Sequence, residues 1–219
     1  LDQTIETLSI NQQPLADLIA EIQQTYRSDN RPWVIGFSGG KDSTVVLELV
    51  YLAMLKLQPE ERHKPLFVVS SDTLVETPVV VNLVKETLQQ INDTAAREGI
   101  QMTAHQVYPD PKETFWVNLL GKGYPAPTTR FRWCTERLKI TPINRFILDK
   151  ISKYQEVVIV LGSRRQESTA RAQSLKKKHR LEGSRLAKHS LPSAYIYAPI
   201  ETWSNDDVWE FLLSVPRPW

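Results

Sequence analysis

The segment Ser38-Gly39-Gly40-Lys41-Asp42-Ser43 constrains this chain more than any other, because it joins an apolar run, Trp33 to Phe37, to a stretch of helical periodicity, Ser43 to Leu57. That order predicts strand, loop, helix. Two glycines let the backbone approach an anion closely, and the helix that follows offers unpaired amides at its positive end. The loop therefore reads as an anion cradle. It is not a Walker A loop, since Ile35 stands where the first glycine would be and Lys41 is followed by Asp42 instead of Ser or Thr. Nor is it a GxGxxG fingerprint. A tight turn also needs glycine, but it does not ask for serines at both ends with a lysine and an aspartate between.

The same plan recurs along the chain. Leu66 to Val69 predicts a buried strand ending at Ser70, Ser71 and Asp72, and Thr77-Pro78 predicts a helix start with Gly99 as its stop. Met102 to Val107, Val157 to Leu161 and Tyr195 to Ile200 predict further strands, and Asn205 to Leu213 a final helix capped by Ser204. Strands alternating with helices imply an α/β fold with a parallel sheet, whose ligands sit beyond the carboxyl ends of the strands. Ser38, Asp72 and Arg164 are all expected there. Leu15, Leu18, Ile19, Ile22 and Tyr26 share one face of a leading helix, so residues 1–32 are expected to form an amino-terminal helical segment and residues 33–219 the domain that carries the glycine loop.

At 219 residues, with 41% hydrophobic side chains, the chain can bury one substantial core. It has no apolar run long enough to span a bilayer and no signal-peptide pattern at its start, so a cytoplasmic protein without membrane contact is expected. Its single cysteine, Cys134, cannot form an internal disulfide. The net charge of +2 says little, but Arg164 to Lys188 holds nine Lys and Arg against Glu167 and Glu182. Such an excess suits either an anionic partner or a solvated loop, and Lys176 to Arg180 fits both readings. His63, His105, His179 and His189 share no spacing with one another or with Cys134, so they predict no metal site. Trp133, Trp203, Trp209, Phe115 and Trp116 are expected mostly in the core, with Trp133 the candidate for stacking on a base.

The motif SGGKDS after an apolar strand resembles the PP-loop ATP pyrophosphatases and the related phosphoadenosine phosphosulfate reductases, which implies an adenine nucleotide alpha hydrolase-like sandwich. SSDTLVETP, FWVNLLGKGYPAP, FRWCTERLKITP, GSRRQES and SVPRPW resemble the sulfurtransferases of the DNA phosphorothioation (Dnd) system. The resemblance implies an enzyme that splits ATP, with Mg2+, into AMP and pyrophosphate, and places sulfur from a cysteine desulfurase in the DNA backbone. DNA, the desulfurase and other Dnd proteins are the partners it implies. It assigns the pyrophosphate cradle to Ser38, Gly39, Gly40 and Ser43, with Lys41 offsetting charge on the leaving group. Asp42 would either hold magnesium or cap the loop amides. Ser70 and Asp72 would face adenosine, while Gly162, Arg164, Arg165, Glu167 and Arg171 resemble a second phosphate-facing motif whose guanidinium forks suit phosphate oxygens.

Within FRWCTERLKITP, the resemblance makes Cys134 one ligand of a four-iron, four-sulfur cluster. Such a cluster needs four thiolates. The chain is accordingly expected to be a carboxyl-terminally truncated piece of a longer parent, with the cluster formed only in that parent. Two alternatives remain open on the residues: a phosphoadenosine phosphosulfate reductase-like enzyme, and a non-catalytic subunit that binds ATP and DNA. Release of pyrophosphate in the presence of DNA separates the last of these from the ATP-splitting sulfurtransferase.

Overall fold

The computed structural model describes residues 2–167 and 185–219. Two short strands, β1 (Ser9–Ile10) and β2 (Gln13–Pro14), pair with each other between helices α1 (Asp2–Thr7) and α2 (Leu15–Arg27). The main sheet holds β3 (Trp33–Gly36), β4 (Leu66–Ser71), β5 (Met102–Val107), β6 (Val157–Val160), β7 (Ala187–Lys188) and β8 (Ala194–Tyr197) in the spatial order β5-β4-β3-β6-β8-β7. Every pairing is parallel except β7 with β8. The chain runs outward from β3 through β4 to β5 and then returns to β3's other flank as β6. The order thus reverses at β3, where open α/β sheets leave a crevice.

Burial explains the layers. Along β3, Trp33 and Ile35 enter one core and Val34 the other, the period of two expected of a strand covered on both faces. One face carries α2, α3 (Lys41–Leu55), α4 (Pro78–Arg97) and the closing helix Asn205–Ser214, and the other carries α6 (Thr141–Tyr154) through Ile147. Between α4 and α6 lies the single turn α5 (Trp133–Thr135). Every residue of α3 from Thr44 to Met54 is buried, so this helix is central and not a surface layer. One of them is Glu48, whose two carboxylate oxygens have no hydrogen-bond partner and face only Arg217, at 3.6 Å. Burial raises its pKa to about 7, and the Arg217 charge offsets this only in part.

Most expected elements stand within a residue or two of where the sequence puts them. Thr77 precedes a helix opening with Pro78, and Gly99 takes a φ of +63° just past its end. Ser204 caps the closing helix in a reciprocal capping box with Asp207. The last sheet strand is shorter than Tyr195 to Ile200, ending at Tyr197. α6 and the antiparallel edge β7 have no counterpart among the expectations.

At the amino ends of the strands, Lys64 is only 2% exposed. Its ammonium donates to Asp29 Oδ1 at 2.8 Å and lies over the rings of Tyr26 and Trp33, at 4.7 and 5.4 Å. Burial lowers the Lys64 pKa and Asp29 opposes that, while hydrogen bonds from Lys64 and Arg31 overcome burial and hold Asp29 below the usual carboxylate range.

Candidate active site

A cavity of about 590 Å3 opens beyond the carboxyl ends of β3, β4 and β6. Its floor is the loop from β3 to α3. Gly39 adopts φ +72°, which only glycine takes without strain, and a Cβ there would meet Val84 of α4 at 3.2 Å. Gly40 is the N-cap of α3 and offers no side-chain cap, so the amides of the helix's first, partly exposed turn are open to an anion in the cavity.

The serines at the two ends close the loop on itself. Ser38 and Ser43 hydroxyls lie 3.1 Å apart, and Ser43 Oγ donates to Gly40 O at 2.9 Å while accepting from Ser38 N at 3.2 Å. Thr44 Oγ1 also donates to Gly40 O, at 3.0 Å. Asp42 lies between two cations: Arg164 Nε donates to its Oδ1 at 2.8 Å, and Lys41 Nζ approaches Oδ2 at 3.3 Å. Lys41 remains 31% exposed, whereas Arg164 is 3% exposed and also donates to Trp203 O at 3.3 Å.

Ser38, Gly40, Lys41, Asp42, Ser43, Ser70, Asp72 and Gly162 line the cavity together. Gly162 is required by a close approach, since a Cβ there would sit 2.6 Å from Asp42 O. Asp72 Oδ1 accepts from Leu74 N at 2.8 Å and so shapes the β4 to α4 loop, in which Leu74 takes φ +62°. The two arginines lie elsewhere. Arg164 is spent behind the loop on Asp42, which outcompetes solvent for a buried guanidinium, and Arg165 turns to Glu201 at 2.7 Å in a separate small cavity of about 160 Å3. Neither contributes a fork to the main cavity. Glu167 does line it, and accepts from Arg164 N at 3.2 Å. Arg171 and Lys176 to Arg180 lie outside the described residues.

Several lining residues carry no sequence assignment as ligands. Val81, Val84, Ile140 and Ile143 give the cavity an apolar wall, and Glu76 on the β4 to α4 loop faces Lys139 at 3.5 Å across it. The signal for Lys139 and Ile140 is their place in FRWCTERLKITP; the apolar wall has none, because it joins α4 to α6 only in three dimensions. Trp133, the stacking candidate, is buried and stacked on Phe115 at 5.4 Å with its Nε1 donating to Pro125 O. The reason is packing: Phe115 stacks on one face of the indole, and Tyr124 meets it edge-on at 5.5 Å.

Cys134 is a half-buried free thiol in α5, one turn before the π-helical stretch Glu136–Ile140 that brings Lys139 and Ile140 to the cavity. One thiolate does not make an iron-sulfur site, so a cluster here would require three ligands from outside this chain. Among the described residues no three His, Cys, Asp or Glu side chains converge as a metal site. Asp42, with both oxygens facing cations, is a poor lone ligand for magnesium. Among the described residues no helix is long and apolar enough to cross a membrane.

Residues 32–216 match the phosphoadenosine phosphosulfate reductase domain. An uncharacterised protein of Methanocaldococcus jannaschii is 30% identical over 201 residues, 92% of this chain and 35% of its own length. An uncharacterised protein of Escherichia phage 186 is 32% identical over 83 residues, 37% of this chain and 23% of its own. The chain thus spans about a third or less of these curated relatives. Among solved structures, a phosphoadenylyl-sulfate reductase from Candida auris, in complex with phosphate, superposes with a TM-score of 0.52 at 15% identity, covering 96% of this chain and 91% of that one. A tRNA thiolase from Methanococcus maripaludis, with a four-iron, four-sulfur cluster, gives a TM-score of 0.55 at 13% identity, covering 91% and 63%. At those identities the likeness is one of fold.

Proposed function

Because the chain belongs to the phosphoadenosine phosphosulfate reductase domain family, we propose that it is the nucleotide-cleaving part of a sulfur-transfer enzyme, acting on ATP in the cavity above Ser38 to Ser43. The finer reading is DNA phosphorothioation. A non-bridging oxygen of a DNA phosphate attacks the α-phosphorus of ATP, the bond from α-phosphorus to the bridging oxygen breaks, and pyrophosphate leaves. A persulfide charged by a cysteine desulfurase then attacks the activated DNA phosphorus through its outer sulfur, AMP leaves, and a thiol reductant cleaves the remaining S–S bond to free the phosphorothioate. The observation that carries this reading is an uncapped helix terminus reached by two glycines at the floor of the cavity, with Lys41 beside it.

Each residue has a role in that reading. Amides at the start of α3 and the hydroxyls of Ser38 and Ser43 hold the leaving pyrophosphate, and Lys41 offsets its growing charge. Arg164 is a positioning residue that fixes Asp42, and through it the first turn of α3. Gly162 lets the β6 end approach that turn. Ser70 and Asp72 border the adenosine side, and the apolar wall of Val84 and Ile143 receives the base. An iron-sulfur cluster would supply sulfur handling in a longer protein, with Cys134 as this chain's contribution.

The family match favours one second reading, reduction of a sulfonucleotide in the same cavity. One assay separates the two. The protein is incubated with Mg2+ and α-labelled ATP, with and without DNA, and in parallel with labelled phosphoadenosine phosphosulfate and a thiol reductant. Labelled AMP with pyrophosphate, increased by DNA, supports the first reading; sulfite without ATP cleavage supports the second. ADP as product would sink both.

A further inference from the structure

Between β5 and α6 the chain makes a long excursion, residues 108–140, that touches the nucleotide cavity only through its last two residues, Lys139 and Ile140. It exposes large side chains, Trp116 at 57% and Phe131 at 46%. It also carries six Lys and Arg against three Asp and Glu. The charges sort themselves. Glu113 takes both Lys122, at 2.5 Å, and Arg137, and Glu76 takes Lys139. Lys112, Arg130 and Arg132 are left exposed, and among the described residues none of the three has a carboxylate partner; only the two arginines adjoin an exposed ring.

These two arginines flank the exposed ring of Phe131, and the backbone holds the tripeptide outward. Thr128 N donates to Phe131 O, and Phe131 N donates back to Thr128 Oγ1, both at 3.1 Å. Behind it Trp133 is buried and anchored on Phe115, and Phe115 in turn meets the exposed Trp116 edge-on at 5.2 Å. Trp116 is therefore the exposed end of one aromatic stack, and Phe131 stands exposed two residues before its buried member, Trp133. Two unpaired guanidiniums beside exposed rings suit a ligand that offers phosphates and unstacked bases together; a duplex, whose bases are already stacked, offers only the first.

We propose that Arg130, Phe131, Arg132 and Trp116 form a landing surface for a single-stranded or locally unpaired nucleic acid, with phosphates on the arginines and bases on the rings. The surface adjoins the cavity mouth through Glu136–Ile140, so a strand held here has its backbone near the nucleotide. That consequence rests on the reading that DNA is the acceptor; the binding itself does not.

The test is fluorescence anisotropy of a short labelled oligodeoxynucleotide, single-stranded and as a duplex, titrated over a range of salt. The parent should prefer the single strand. Arg130→Ala with Arg132→Ala should reduce the slope of log affinity against log salt by about 1.4, about 0.7 for each single-strand phosphate contact. Phe131→Ala and Trp116→Ala should each weaken single-strand binding about tenfold and leave the slope unchanged. ATP cleavage to AMP in the absence of DNA and the thermal midpoint should be unaffected in all three variants. An unchanged slope, an equal loss on the duplex, or a loss of affinity for the cysteine desulfurase with DNA binding intact would overturn the proposal. So would a slope carried entirely by Lys176, Lys177 and Lys178. A parent that cleaves ATP to AMP yet binds no DNA refutes this surface alone, whereas one that binds through it but forms ADP refutes only the nucleotide reading.

Discussion

The molecule contains two lysine-aspartate pairs at opposite ends of the same strand, and they have been put to opposite uses. Lys64 and Asp29, below the amino end of β3, are sealed among Tyr26 and Trp33, with the lysine 2% exposed and a 2.8 Å bond between them. Lys41 and Asp42, above its carboxyl end, are 3.3 Å apart, and the lysine is 31% exposed and borders the cavity. Each aspartate also holds an arginine, Arg31 at Asp29 and Arg164 at Asp42, so a third partner does not tell the pairs apart. Burial of the lysine decides between them: sealed, it serves the fold, and exposed at the cavity, it is available to a ligand.

That contrast can be broken from either end. The largest effect is expected at the sealed pair: Lys64→Ala leaves Asp29 with Arg31 alone and empties a buried site among Tyr26 and Trp33, and should cost about 2–4 kcal/mol, read as a lower urea midpoint, with KM for ATP unchanged in the folded fraction. Lys41→Ala should do the reverse, reducing the rate of AMP formation about 100-fold while the urea midpoint stays put. A Lys41→Ala protein that cleaves ATP at the parent rate would remove Lys41 from the mechanism.

Glu48 sharpens the comparison with a buried carboxyl that has no matched cation. Its folded pKa of about 7 lies above the usual value of 4.5, so the folded state favours the neutral acid. Its contribution to stability is complete below pH about 4.5 and is lost as pH rises toward about 7, because the unfolded chain gives up its proton first. Glu48→Gln should flatten that decline and stabilise the protein by about 3 kcal/mol at pH 8 relative to its effect at pH 4. Denaturation midpoints across that range, parallel in the two proteins, would refute it. The smallest effect belongs to Gly162→Ala, expected to cost about 1–2 kcal/mol and to weaken ATP binding several-fold, measured by calorimetry.

Much of this was legible before any coordinates. The glycine loop, the Thr77-Pro78 start and the Ser204 cap are local signals, and a strand such as Met102–Val107 is marked by its own residues. α6 was legible in principle, through Thr141-Pro142 and the spacing of Ile143, Ile147 and Ile151. What the sequence hides is competition between distant groups. Arg164 looks like a phosphate ligand until Asp42 claims it, and Trp133 looks free until Phe115 covers it. Lys64, beside a proline in a charged stretch, carries no mark of being one of the most buried side chains in the protein.

The contact of Gly162 with Asp42 O also has a genetic meaning. Two segments far apart in the chain share a wall with no slack, so neither can accept bulk unless the other retreats. A screen for second-site suppressors of Gly162→Ala should recover changes in the first turn of α3, and the two motifs should be inherited as a single trait.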